Sequence, residues 1–509
     1  MRSLPLAALA AVAAVAVSTA PAWAAPAAPA PALPAGTVDS LVQALRSDLG
    51  LTPEQFLAQA GVGERLSRAA QDWSARYGQA FGGVWLDRAG TGVVGVTRGA
   101  APGAAALRDA ARRGGFTIRD VALTSDELSA RERQVQQIVA AQPDAIRSLV
   151  LGVRVDPTRN AVVVVTRGGT EAQIGTLTAA LKGLAVVDAT EAPSPAGDTA
   201  PFGSQGGAPA GGPTTHGLDP ATGGTAPGAQ ASPLGSLAAL AALAPEGPAR
   251  TALEQLATGS GAGAATGGAT GGGAGQPATP VPPAERPARL PVPAGPVPGG
   301  TAYEVPVRGG VLACSTGFNG ELDGKPVVIT AAHCAGAEGT RAAFPDAGEF
   351  GTMRAVRRDG VDTALIAVDE PQSARFRAGL VGTGTDTTQP ISGTARPVVG
   401  QKACKMGSRT GFSCGTVAET GTDIDVAGTR TISNGFTIDL CALPGDSGGV
   451  VFSGDKALGI SSASNVAEAP SCRVATETAR KNGYTPRLSA VPIDDVLAAH
   501  PGLRLRTDA

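Results

Sequence analysis

The sequence predicts three regions: an α+β region over residues 39–190, a low-complexity linker over 191–300 and an all-β domain over 301–505. Three observations carry this division. Short β-rich runs such as Val327-Val328-Ile329-Thr330 and Ala364-Leu365-Ile366-Ala367-Val368 recur in the last region between Gly, Pro and Asp turns, the punctuation of a sandwich or barrel. Helix-like and strand-like runs alternate in the first region. Between them the chain turns into Gly, Ala, Pro, Thr and Ser with few aromatic or β-branched residues, a composition that buries too little apolar surface to offset its ordering entropy.

At 509 residues the chain has room for two or three domains with their own cores. Its net charge of −2 gives no basic face for nucleic acid and no charged tail, so function has to reside in a localised site. At the N-terminus, Arg2 precedes an almost wholly apolar run from Leu4 to Val17, and Ala22-Trp23-Ala24 places small residues where signal peptidase reads. Residues 1–24 are therefore expected to be a signal peptide and the mature chain to be secreted and extracellular. A membrane anchor is the alternative, but it needs about 20 apolar residues, and Pro5 and the Pro-rich stretch from Pro21 fit a cleaved leader better.

In the α+β region, Asp39-Ser40 can cap a helix carrying Leu41, Leu45, Leu49 and Leu51, and Thr52-Pro53-Glu54 starts a second with Pro at its first position. Gly82–Asp87 and Gly92–Thr97 read as two strands joined by a turn. The pattern recurs more loosely, with helices near 104–111 and 129–142, a hairpin through 152–155 and 161–165, a helix near 171–181 and a strand near 184–187. This region holds no Cys and no His. The linker's His216 stands alone. In the all-β region, Ile493–Ala499 is the one persuasive helix.

All six Cys lie between 314 and 472, which in a secreted chain reads as a disulfide framework. Loop-closure entropy favours the nearest pairs, Cys314 with Cys334, Cys404 with Cys414 and Cys441 with Cys472. Zinc is the competing use, since His333 adjoins Cys334, but no Cys-x-x-Cys pair or second nearby His supplies ligand spacing. No metal or other cofactor is expected.

Of three His in the chain, His216 is in the linker and His500 lies past the last helix, which leaves His333, in Thr330-Ala331-Ala332-His333-Cys334, as the candidate base. Gly445-Asp446-Ser447-Gly448-Gly449 sets a Ser among glycines that permit a tight turn close to a substrate. Asp362 opens an apolar strand, where a partly buried carboxylate needs a partner, whereas Asp359 and Asp369 read as solvated turn acids. A hydroxyl, an imidazole and a carboxylate are what acyl transfer requires, and the order His, Asp, Ser is one of the known chain orders for them.

At these residues the last 200 or so positions resemble the bacterial chymotrypsin-like proteases of the streptogrisin and alpha-lytic protease group. Cys314-Ser315-Thr316-Gly317-Phe318-Asn319, the Cys404 to Cys414 segment with Arg409-Thr410-Gly411-Phe412, and Cys441-Ala442-Leu443-Pro444 carry the likeness, in order with the His and Ser motifs. More loosely, Ser47–Leu51 and Gly83–Asp87 resemble that group's pro-region. The resemblance implies a double six-stranded β-barrel with His333, Asp362 and Ser447 in the cleft. It implies an oxyanion hole from the amides of Gly445 and Ser447, and an ion pair between Lys405 and Asp446 where the group usually has Arg. It implies protein or peptide substrates, a precursor whose 39–190 pro-region folds and blocks the domain until cleavage near 290–304, and a monomer with no nucleic-acid or membrane partner. Ser462-Ala463-Ser464 falls where the group's substrate-pairing segment usually ends in Gly-Gly, and Asp439 and Leu443 fall near the specificity pocket. Small-to-medium apolar residues are the first expectation there and basic residues the second. A catalytically inert binding protein on the same fold and a hydrolase of other acyl compounds are the competing readings.

Overall fold

The computed structural model describes residues 38–190, 216–217, 221–223, 292–307, 310–384, 386–426, 430–466 and 469–507. The expected signal peptide and most of the linker lie outside the described residues.

The N-terminal region is built twice from one plan. Helix Pro53–Tyr77 precedes the antiparallel strands Phe81–Leu86 and Gly92–Thr97, and helix Ala104–Arg113 crosses over to Thr117–Val121, which pairs parallel with the second strand. Helix Ser125–Ala140 then precedes Val150–Asp156 and Ala161–Arg167, and helix Glu171–Leu181 crosses over to the parallel strand Ala185–Thr190. Three of these helices start at a Thr capping box, Thr52 with Gln55, Thr124 with Glu127 and Thr170 with Gln173, which satisfies amide donors that a helix start leaves free. Leu66, Trp73, Val94 and Leu107 form the core of the first unit, and Val135, Val162, Val164 and Leu177 that of the second.

The C-terminal region is mostly strand. Among the described residues its first sheet has nine strands, running in order through Arg504–Leu505, Asn319–Leu322, Lys325–Thr330, Thr363–Val368, Gly348–Arg357, Arg341–Phe344, Ala302–Val307, Gly310–Ser315 and, from the linker, Ala221–Gly223. Phe344, Phe350 and Phe376 stack in its core, and Tyr303 meets Phe350 edge-on. In the second sheet Lys456–Ser464, Val450–Ser453, Lys402–Gly407, Gly411–Val426, Arg430–Ile438 and Leu488–Pro492 pair in sequence. Because Lys456–Ser464 also pairs with Leu488–Pro492, these six strands form a closed circuit. Besides Ile493–Ala499, the domain contains a helix that the sequence reading missed, Cys472–Lys481. Its fully buried residues are only Ala475 and Ala479, set over Leu443, side chains too small to mark an apolar face. The packed domain also begins before residue 301, since Val297 is buried and its amide donates to the Arg375 carbonyl at 2.8 Å.

The N-terminal region is docked on the second sheet. Leu41, Ala44, Leu45 and Phe56 belong to the same buried cluster as Phe412, Ile424 and Phe452. Asp48 accepts a hydrogen bond from the Cys414 amide at 3.0 Å, and the Leu86 amide donates to Val399 at 2.8 Å.

His500 is buried, and burial, followed by the charge of Arg357, pushes its imidazole down from 6.5 to about 4. A His depressed in the folded state favours folding above its ordinary value and withdraws that contribution as pH falls. His500 is therefore expected to withdraw stability from the chain between pH 6.5 and about 4, and His500→Phe to remove that contribution. Urea midpoints of both proteins across this range would show it, and parallel curves would refute it.

Candidate active site

Sheet pairing brings His333 and Asp362 together. Strand Lys325–Thr330 delivers the chain to a single 3-10 turn at Ala332–Cys334, and its last residue, Thr330, pairs with Ala364 of the strand that Asp362 precedes. Asp362 consequently reaches His333 twice: Oδ1 accepts from the His333 backbone amide at 3.0 Å, and Oδ2 lies 2.6 Å from Nδ1. The Ser462 hydroxyl also donates to Asp362 Oδ2. A fully buried carboxylate engaged at both oxygens fixes the orientation of the imidazole ring.

Ser447 belongs to the second sheet, on the turn leading into Val450–Ser453. Its carbonyl accepts from the Ser315 amide at 2.8 Å, a bond that ties the turn to the first sheet. Within the turn, Asp446 donates its amide to Leu443, Gly448 to Ser461 and Gly449 to Asp446. Among the described residues, the amides of Gly445 and Ser447 take no part in these bonds, and the Ser447 hydroxyl has no hydrogen-bond partner. Gly445 has φ of +106° and Gly448 of +79°, conformations that side chains resist. A Cβ on Gly448 would also lie 2.2 Å from Thr330 Oγ1 and 2.6 Å from the Ser315 carbonyl. The Gly445 carbonyl accepts from the hydroxyls of Ser315 and Ser408 at 2.8 and 3.1 Å. These two serines orient the peptide ahead of Asp446, and nothing in their sequence spacing marks them for it.

Beneath the turn, Lys405 and Asp446 are both wholly buried, with Nζ 3.3 Å from Oδ2. Lys405 also donates to Thr410 Oγ1 and to the Gly411 carbonyl. Asp446 Oδ1 accepts from the amides of Arg409 and Thr410 at 3.1 and 2.9 Å, and Oδ2 from the Leu443 amide at 3.0 Å. The three disulfides are Cys314–Cys334, Cys404–Cys414 and Cys441–Cys472, the pairs that proximity favours. They pin the His turn, the Lys405 strand and the approach to Ser447.

The residues expected to govern specificity do not converge in one place. Ser462, Ala463 and Ser464 run along Lys456–Ser464 beside the Ser447 turn, where Ser461 exchanges backbone bonds with Gly448 and Gly449. Leu443 packs inward against Val466, Ala475 and Ala479. Asp439 accepts from Arg487 Nε at 2.8 Å, and the same guanidinium bonds Glu419. Arg487, far from the motifs in sequence, carries no local signal of that role. Two of the three His lie elsewhere: His216 pairs through its backbone with Ser464, and His500 is the buried residue described above. Among the described residues, no group of three or more His, Cys, Asp or Glu is arranged to hold a metal ion.

Residues 315–482 match the protein-family model described as Trypsin. The chain is similar to Streptogrisin-C of Streptomyces griseus, with 34% identity over 164 residues, 32% of this chain and 34% of that protein. It is 32% identical to Glutamyl endopeptidase 2 of Streptomyces griseus over 159 residues, 31% of this chain and 82% of that protein. To Serine protease 2 of Streptomyces fradiae it is 31% identical over 153 residues, 29% of this chain and 85% of that protein. The match thus spans about a third of the first relative and most of the other two.

Removing one partner of a buried ion pair strands the other, at about 3–5 kcal/mol. Lys405→Met should therefore loosen the turn and lower turnover of a peptide substrate by more than about tenfold, the equivalent of only about 1.4 kcal/mol in the barrier. Rates normalised to folded protein measure this, and an unchanged rate would remove Lys405 from the machinery of the turn.

Proposed function

The chain belongs to the trypsin family of serine proteases, with the bacterial chymotrypsin-like enzymes among its relatives, and on that premise we propose that it is a secreted serine endopeptidase made as an inactive precursor. The observation that carries the reading is the 2.6 Å contact of His333 Nδ1 with Asp362; Ser447 is held separately, on the glycine turn of the other sheet. Ser447 is the nucleophile. His333 takes its proton through Nε2 and later gives it to the leaving amine, and Asp362 holds the tautomer and stabilises the imidazolium. The amides of Gly445 and Ser447 receive the oxyanion, a contribution of about 3–4 kcal/mol per donor. The architecture proposed around this site is the two-barrel one, the first sheet and the closed six-strand circuit each supplying a barrel.

The precursor reading draws on two placements. Residues 38–190 are docked against the second sheet through Leu41, Leu45 and Phe56. In addition, His216–Gly217 of the linker pair antiparallel with Ser464 and Ala463, along the strand that in this group binds substrate backbone. A segment there competes with substrate for the same backbone groups. The domain's non-local strand pairings form slowly, which gives the 38–190 region a folding task as well. Release follows cleavage close to Val292, because from Val297 onward the chain is bonded into the domain.

For the residue before the scissile bond, small-to-medium apolar side chains remain the first choice. The Asp439 carboxylate is paired with Arg487, so it offers a cationic substrate little uncompensated charge.

A fluorophosphonate is expected to label Ser447 in the processed protein and not in Ser447→Ala. Asp362→Asn should lower kcat by about 10⁴-fold. N-terminal sequencing of secreted material should give a start near residue 292. Failure of the processed form to label or to cut any peptide would favour the inert binding protein. In a peptide library, Asp439→Asn should leave the preference unchanged. A strong Arg/Lys preference that disappears in that variant would reverse the order given above.

A further inference from the structure

The N-terminal region meets the second sheet across a charged seam, where Arg154 lies 3.2 Å from Glu419. Glu132, on helix Ser125–Ala140, is 8% exposed, and among the described residues its Oε1 has no hydrogen-bond partner. The acids acting on it are Asp423 and Glu419, both on strand Gly411–Val426 of the C-terminal domain. The cations nearby are largely spoken for: Arg154 of strand Val150–Asp156 lies 3.2 Å from Glu419, and Arg487 bonds Glu419 and Asp439. On strand Ala185–Thr190, Asp188 is paired with Arg159. Arg133, next along the same helix, is the cation that acts on Glu132. A cavity of about 370 Å³ opens along this seam, with Arg154, Glu419, Asp423 and Arg487 in its wall.

We propose that Glu132 is a pH-sensitive latch between the N-terminal region and the C-terminal domain: protonated, it lets the two surfaces close, and ionised, it is repelled by Asp423 and Glu419 and loosens them. Burial, then the Asp423 charge, pushes its carboxyl up from 4.5 to about 7, with Arg133 opposing and Glu419 adding to the rise. An acid raised in the docked state favours docking while protonated. Docking is thus strongest below 4.5, weakens by at most about tenfold per pH unit up to about 7, and changes no further above it. A precursor held closed in mildly acidic surroundings would loosen at neutral pH. The latch rests on the docked interface and not on the peptidase reading, since an accessory domain docked in the same way would titrate identically.

The test uses the full-length chain carrying Ser447→Ala, so that no self-cleavage intervenes. Amide exchange in Val150–Asp156 and Gly411–Val426, corrected for the intrinsic pH dependence, reports opening of the seam from about pH 5 to 8. Protection is expected to fall as pH rises, by up to about tenfold per unit, and to level off above about 7. Adding Glu132→Gln should hold protection at its acid-pH level throughout. Asp423→Asn, which keeps the helix intact, should shrink the loss. Protection independent of pH, or an equal fall in the Glu132→Gln and Asp423→Asn chains, would overturn the latch. Neither result would alter whether Ser447 takes a fluorophosphonate, so the two proposals fail separately.

Discussion

The Lys405–Asp446 pair is the constraint on which the site's geometry depends. Both side chains are wholly buried, so neither charge has recourse to water, and each must be met in full by the other and by fixed dipoles. The carboxylate meets this demand by collecting the amides of Leu443, Arg409 and Thr410. The Leu443 amide comes from the approach to the Ser447 turn and the other two from the hairpin of Lys405. A loop that could otherwise wander is thereby fixed to a strand. Lys makes one long contact to the carboxylate where a guanidinium could make two, and Thr410 bridges the pair by donating to Asp446 at 2.6 Å while accepting from Lys405.

Once the turn is fixed, the rest is a matter of joining two sheets. His333 and Asp362 come from the first and Ser447 from the second, so no local segment contains the site. Among the bonds that hold the halves in register here are the Ser315 amide on the Ser447 carbonyl, the Ser315 hydroxyl on Gly445, and Ser462 on Asp362. Each uses a small hydroxyl or a backbone group, which restricts side-chain freedom little and so costs little entropy. Ser462 has a double position, on the strand beside the Ser447 turn and bonded to the carboxylate that holds His333. A shift of that strand would be felt by Asp362 as well.

Much of this was legible in the residues, and what was not has identifiable causes. The doubled α+β plan could be read because its hairpins carry Val-rich runs such as Ala161-Val162-Val163-Val164-Val165, although the helix expected near 129–142 begins four residues earlier, at Ser125 behind the Thr124 cap. Strand Thr117–Val121 was not read: only Val121 among its residues is buried, so pattern and packing were both weak. Helix Cys472–Lys481 escaped for the same reason. The contact of His333 with Asp362 could be anticipated because His is scarce, and the glycine turn singled out Ser447. The settings of Asp439 and Leu443 could not be anticipated, because they depend on Arg487 and on helix Cys472–Lys481, partners that no spacing rule connects to them. The docked interface was least accessible of all: Leu41 and Leu45 announce an apolar helix face, but nothing in it names Phe412 or Phe452 as the surface that covers it.

The close approach around Gly448 has a consequence for how such a site can be altered. There is no room for even a methyl group against Thr330 and Ser315, and the neighbouring Gly449 faces the Met406 carbonyl at 2.5 Å from where a Cβ would stand. The wall behind Ser447 therefore admits no larger side chain at either glycine, whether in a laboratory library or by drift.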